Sequence, residues 1–213
     1  MKTNLLVIGK GDDIITMILD NFDSRGLNGN INIFNNLDLP VLSKIEHPNF
    51  EINIETSVDF DAFDGLLLGV YKPEIKKLLV TKYNLLDSDK LINCIHETFN
   101  SSVTSSLGIG CLINSNVTIA AHTSVGNFVS INRGVTIGHH SVIEDFVSIN
   151  PGTNIAGHCF IGESTTIGMG TQVLNDVRIG KNTVIGAGSI VTGDIPDGVV
   201  AWGQPCKVIR QNE

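Results

Sequence analysis

The sequence predicts a small parallel α/β domain followed by an all-β parallel solenoid. Three observations predict it. From Leu107 to Val191 an aliphatic residue stands at every sixth position without a miss. The fifth place of each hexad, from Cys111 and Val117 to Thr183 and Ser189, is always small or β-branched. Upstream of about residue 90 the text changes to short apolar runs alternating with helically spaced ones. A period of six belongs to neither an α-helix nor an ordinary strand, so it marks a repeat architecture.

In chain order, Asn4–Gly9 reads as a buried parallel strand that ends in the turn Gly9-Lys10-Gly11. Asp12–Asn21 has helical spacing, with Ile14, Ile15, Ile18 and Leu19 on one side and Asp12 or Asp13 placed to cap it. Asn30–Phe34 is a second strand and Asp64–Val70 a third, followed by a helix from Pro73 to Tyr83 with proline in its first turn. Alternation of this kind implies a small βαβ (Rossmann-like) sheet over residues 1–90. The pair Gly9-x-Gly11 lacks the third glycine of a dinucleotide fingerprint, and no acidic residue closes the second strand, which argues against NAD. Gly9, Lys10 and Gly11 remain candidates to meet a nucleotide diphosphate through backbone amides, although Asp12 and Asp13 would repel it.

Residues 91–197 carry the repeat. One hexad is a short strand plus a corner, and three hexads make a triangular coil of 18 residues, so the fifteen hexads give five coils. Ile95 extends the register upstream. First and fifth positions point inward. Second positions are often Gly (108, 126, 138, 162, 168, 180, 186), Ala (120, 156) or Asn (114, 132, 150). Gly and Asn tolerate positive φ, so these places are expected to turn the corners. Coils stack at about 4.8 Å, and residues 18 apart therefore become neighbours: His139 with Gly157, Met169 with Ala187, and His122, His140 and His158 in one column. A short tail, residues 198–213, closes the chain.

Composition sets bounds. Nothing near Met1 has signal-peptide character and no apolar run reaches membrane-spanning length, so no membrane partner is expected. Cysteines 94, 111, 159 and 206 lack metal spacing and read as reduced thiols of a cytoplasmic protein. The net charge of −8 argues against a nucleic-acid partner. An anionic coenzyme would need a local basic patch, for which Lys181, Lys207 and Arg210 are the candidates.

The small α/β domain, the repeat, the run Ile131-Asn132-Arg133-Gly134-Val135-Thr136-Ile137-Gly138-His139 with Asn150-Pro151-Gly152 and Ala156-Gly157, and the tail Ala201-Trp202-Gly203-Gln204-Pro205-Cys206-Lys207 together resemble one family. These are the hexapeptide-repeat sugar O- and N-acetyltransferases of bacterial surface-polysaccharide pathways, of the sialic acid O-acetyltransferase and UDP-4-amino-sugar N-acetyltransferase types. The resemblance implies a left-handed parallel β-helix, a homotrimer and acetyl-CoA as co-substrate; no metal is expected, since no His-x₄-His spacing of a metal site is present. It implies that His139 is the catalytic base, that Asn132 lies near the sugar, that Gly157 offers its amide to the thioester carbonyl, and that the tail around Pro205 packs on the coenzyme. Met169 and Ala187 are candidates to line the pantetheine channel, against plain corner packing. Three departures stand out: His140 follows His139 where an acidic residue is common, Ser148 replaces a second histidine, and Asp12 and Asp13 replace small residues.

Acyl transfer needs a base at the attacking atom, typically contributing about 10²–10⁴-fold, and a donor at the oxygen that gains charge. His139 and Gly157 supply both at one corner, with direct transfer and no acyl-enzyme. The histidine column has three readings: a solvent-facing corner, a metal site as in the γ-class carbonic anhydrases, or a group through which His140 tunes His139. Geometry opposes metal, because the outer rungs His122 and His158 stand about 9.6 Å apart. The expected function is acetyl-CoA-dependent N-acetylation of a nucleotide-linked 4-amino sugar. Sugar O-acetylation is the alternative within that chemistry, and a non-catalytic scaffold the alternative outside it.

Overall fold

A computed structural model describes residues 3–9, 11–35 and 46–212 and divides the chain into two compact units, Met1–Glu97 and Thr98–Glu213. Lys10, a candidate substrate contact, lies outside the described residues.

In the first unit, strands β1 (Thr3–Ile8), β2 (Gly29–Phe34), β3 (Phe50–Glu55) and β4 (Gly65–Leu68) form one parallel sheet in the order β3-β2-β1-β4. Central β1 is buried from Leu5 to Ile8, which is why its text is continuously apolar. The edge strand β3 is not among the strands expected from sequence. Its residues Phe50-Glu51-Ile52-Asn53-Ile54-Glu55 alternate strictly between apolar and polar, the period-2 signal of a half-buried strand, so it was legible in the sequence. Helix α1 (Asp12–Ser24) buries Ile14, Ile15, Ile18, Leu19 and Phe22 and runs a turn beyond the predicted end, to a left-handed Gly26. Helix α2 spans Pro73–Lys82, with proline in its first turn as expected.

One local expectation is corrected. Neither Asp12 nor Asp13 caps α1; the N-cap is Gly11, and both acids sit in the first turn. There their charge favours the positive end of the helix dipole.

In the second unit, two-residue strands wind into a parallel β-helix with three faces. Face I contains Leu112–Ile113, Ser130–Ile131, Ser148–Ile149, Thr166–Ile167 and Val184–Ile185. Face II runs from Asn100–Ser101 through Thr136–Ile137 and Asn154–Ile155 to Ile190–Val191. Face III runs from Ser106–Leu107 through Val142–Ile143 to Arg178–Ile179. Each register step is eighteen residues, Ile131 on Ile149 for example, so the vertical map derived from the sequence holds. The aliphatic positions from Ile113 to Val191 are buried, and only Leu107, on the first coil, is half-exposed.

The fifth positions are all buried too, including seven with hydroxyls (Thr123, Ser141, Thr153, Thr165, Thr171, Thr183 and Ser189). Burying a hydroxyl costs free energy unless it is bonded. Thr123 donates to Gly138 O at 2.8 Å, Ser141 to Ala156 O at 3.1 Å and Thr153 to Gly168 O at 3.1 Å, each stitching one coil to the next.

The corner assignment from sequence is wrong by two places. Left-handed φ falls on the fourth position of the hexad, not the second: Gly134 and Gly152 at +68°, His122 at +60°, His140 and His158 at +58°. The second-position glycines answer a different demand, close stacking. A Cβ on Gly138 would lie 2.4 Å from the carbonyl carbon of Ala156 in the next coil. Beyond the repeat, Val199–Gly203 extends face I beside Val184–Ile185 and turns back antiparallel as Cys206–Gln211.

Candidate active site

The corners that join face II to face III, residues 138–141 and 156–159, carry the imidazole and the glycine. His139 is exposed, and its ring lies directly over Gly157. A Cβ built on Gly157 would meet His139 Cε1 at 2.8 Å, Nε2 at 3.0 Å and Nδ1 at 3.2 Å. Glycine at 157 therefore makes the seat in which the ring rests.

The Gly157 N–H has a second property. On the III/I edge the corresponding N–H groups are taken by side chains one coil on: Ile109 N–H by Asn127 Oδ1 at 3.0 Å, Asn127 N–H by Asp145 Oδ1 at 2.7 Å, Lys181 N–H by Asp197 Oδ1 at 2.9 Å. Among the described residues nothing accepts from the Gly157 N–H.

His139 Nδ1 and His140 Nδ1 are 3.1 Å apart, with the rings edge-on at 87°. One nitrogen donates and the other accepts, so each ring restricts the other's tautomer. His140 in turn stacks on His158, with centroids 4.9 Å apart and planes 14° apart, and meets His122 at 4.8 Å. Desolvation within this stack, then repulsion from His122, His158 and His139, hold the His140 pKa below the ordinary histidine value. The left-handed backbone of the column costs little here, because histidine is among the residues that adopt it more often.

The other candidates lie on other edges. Asn132 is on the I/II edge, where its Oδ1 accepts from Arg133 N–H at 2.8 Å and Asn114 Nδ2 at 3.3 Å. Met169, 59% exposed, and exposed Ala187 share that edge. So does the tail: Trp202 Cβ lies 2.7 Å from a Cβ built on Gly186, and Gln204 Nε2 donates to Gly188 O at 2.7 Å. Pro205 and Lys207 are exposed beside it, and Lys207 pairs with Trp202. Trp202 of the same tail is 45% exposed, a large aromatic where the repeat prefers Gly, Ala or Asn. Lys181 stands apart on the III/I edge.

In the first unit the glycine turn is internally bonded. Gly9 N–H donates to Phe34 O at 3.0 Å and Gly11 N–H to Gly69 O at 2.8 Å, so these two amides are committed inside the sheet. The sequence-based idea that they meet a diphosphate by donating is corrected. Close packing requires both glycines, since a Cβ would lie 2.6 Å from Val70 Cγ1 at Gly9 and 2.9 Å from Gly69 O at Gly11.

With this geometry in place the chain can be set beside known proteins. The family described as bacterial transferase hexapeptide (six repeats) matches residues 158–193. The acetyltransferase domain of PglB from Neisseria gonorrhoeae FA1090, solved with acetyl coenzyme A, is 24% identical at a TM-score of 0.84, covering 98% of this chain and 100% of that one. The same domain solved alone is 25% identical at a TM-score of 0.83, covering 96% and 98%. A histidine-to-asparagine variant of perosamine N-acetyltransferase from Caulobacter crescentus, in complex with CoA and GDP-perosamine, is 23% identical at a TM-score of 0.82, covering 97% and 96%. No curated protein matches the chain in sequence.

Residues 158–193 carry the bacterial transferase hexapeptide repeat, and the likeness to these acetyltransferase structures extends over the whole fold. The chain has the two-part fold of those structures, a small βαβ unit and then a left-handed parallel β-helix. Among the described residues no helix is long and apolar enough to cross a membrane.

Proposed function

We propose that the chain is an acetyl-CoA-dependent N-acetyltransferase whose acceptor is a nucleotide-linked amino sugar. The observation that carries this reading is the seating of the His139 ring over Gly157 on an open edge of the prism, beside an unclaimed main-chain donor. Similar folds solved with acetyl coenzyme A and with CoA plus GDP-perosamine support the substrate classes.

The coenzyme supplies an acetyl group activated as a thioester. His139 takes the proton of the acceptor amine as its nitrogen bonds to the thioester carbonyl carbon. Gly157 N–H faces the carbonyl oxygen as it gains negative charge, a contact whose loss typically costs about 10²–10³ in rate. The carbon–sulfur bond then breaks and the thiolate leaves, taking up the proton that His139 removed from the amine. His140 orients His139 through the contact between their Nδ1 atoms, in place of a carboxylate.

One chain does not gather all the candidates. His139 and Gly157 occupy the II/III edge, while Asn132, Met169, Ala187 and the tail occupy the I/II edge. A complete site forms when a neighbouring copy lays its I/II edge against the histidine edge, which is why we read the protein as a homotrimer with shared sites. Acetyl-CoA and a nucleotide sugar as substrates support a cytoplasmic enzyme that makes a precursor for surface glycan. Lys207 and Arg210 would meet the coenzyme phosphates at the tail. The nucleotide would approach the first unit beside Gly9 and Gly11, at the strand ends where such sheets bind ligands.

The test is thiol release across UDP-, GDP- and dTDP-linked 4-amino sugars and free sialic acid. Turnover with a nucleotide amino sugar is expected. Activity on sialic acid alone would replace the reading by O-acetylation, and no CoA binding by calorimetry would leave only a scaffold. His139→Ala should lower turnover at least about a hundredfold while CoA affinity holds.

A further inference from the structure

His139, His140 and His158 bring their ring nitrogens within 4.8 Å of one another. The sequence argues against metal through the distance between His122 and His158 and the absence of a His-x₄-His spacing. The convergent set is a different one, because His139 enters it from beside the column. Metal–nitrogen bonds of about 2.0–2.1 Å at tetrahedral or square angles hold neighbouring ligand nitrogens roughly 2.8–3.4 Å apart. The two Nδ1 atoms of His139 and His140, at 3.1 Å, already have that spacing.

His158 has to swing in by roughly an ångström to complete the set, its exposed ring turning out of the stack on His140 so that its lone pair meets the same point. The backbone beneath is held. His140 and His158 share the left-handed corner conformation at +58°, and His158 N–H donates to His139 O at 2.8 Å. Three imidazoles without a carboxylate suit zinc, nickel or copper and not magnesium or calcium.

We propose that this edge chelates a borderline divalent cation through His139 Nδ1, His140 Nδ1 and a ring nitrogen of His158, and that the bound ion switches the transferase off. The inhibitory half rests on His139 being the base. An ion on Nδ1 leaves the remaining ring proton on Nε2, so neither nitrogen keeps a lone pair for the acceptor's proton. The ion is an inhibitor here, not a cofactor.

The experiment is calorimetric titration of the untagged, full-length protein with Ni²⁺, beside His139→Ala, His140→Asn and His158→Asn. Asparagine keeps the left-handed corner accessible. Wild type should take up one ion per chain, and each variant should lose affinity at least about tenfold. Acetylated product, followed by mass spectrometry to avoid thiol-bound metal, should fall with Ni²⁺ and return with EDTA, while His158→Asn turnover resists the ion. Absence of saturable binding, or equal affinity in all three variants, overturns the site. Binding without inhibition overturns the switch. If Ni²⁺ binds wild type but His139→Ala still turns over fully, the base assignment fails and the chelation stands. If His139→Ala is inactive and wild type takes up no Ni²⁺, the chelation fails and the base assignment stands.

Discussion

Glycine 157 does two jobs. It leaves its N–H unclaimed, and it leaves the space in which the His139 ring lies. Gly157→Ala separates the two, since the amide remains while a methyl enters 2.8 Å from Cε1. The obstructing atom belongs to an exposed side chain, so the ring moves and the fold stays. Turnover should drop by about 10² with an unchanged melting temperature. Steady-state kinetics that leave kcat at the wild-type level would show the seat to be irrelevant. A second residue-scale consequence concerns Cys94, whose thiol burial pushes up to about 12, against smaller opposite effects of Asn21 and Arg25. A folded-state pKa above the unfolded one means that the thiol's contribution to stability is whole below about pH 9 and is lost as pH climbs toward 12. The slope is about 1.4 kcal/mol per pH unit in that window. Urea unfolding at pH 8, 9.5 and 10.5 should show it, and Cys94→Ala should remove that part of the slope.

At the scale of the hexad, the corner places two distinct demands on sequence, and periodicity alone merges them. Fourth positions need left-handed φ and second positions need little bulk beneath the next coil. Glycine answers both, so its abundance at second positions points the conformational expectation to the wrong place. His140, Phe128 and Phe146 carry the left-handed turn with bulky rings, and those rings then stack up the edge, as Phe128 on Phe146 at 5.3 Å. Gly152, at φ +68° with open space around its Cβ, isolates the backbone cost. Gly152→Val should destabilise by about 1–2 kcal/mol and Gly152→Asn by far less, read from denaturant midpoints. Equal losses would point to packing instead. Inward positions were legible without error, because a narrow prism admits only aliphatic stacks and small bonded residues.

For the whole molecule, the decisive arrangement is the split of candidates between two edges. Co-expressing His139→Ala with Asn132→Ala chains should restore turnover that neither variant has alone, since mixed assemblies rebuild intact sites from His139 of one copy and Asn132 of another. An inactive mixture would remove Asn132 from a shared site. In the first unit the edge strand β3 differs from the continuously apolar buried strands in alternating apolar with polar residues, a signal the sequence does carry, whereas the inward bonding of the glycine turn leaves no mark in it.

What the sequence by itself determined is the prism, and with it the meeting of His139 and Gly157. A strict period with backbone pairing at every eighteenth residue leaves one way to stack. Only the tertiary structure decided which amides remain unclaimed and that three histidines converge. Those depend on ring orientation and on hydrogen bonds between coils, and a one-dimensional repeat carries no record of either.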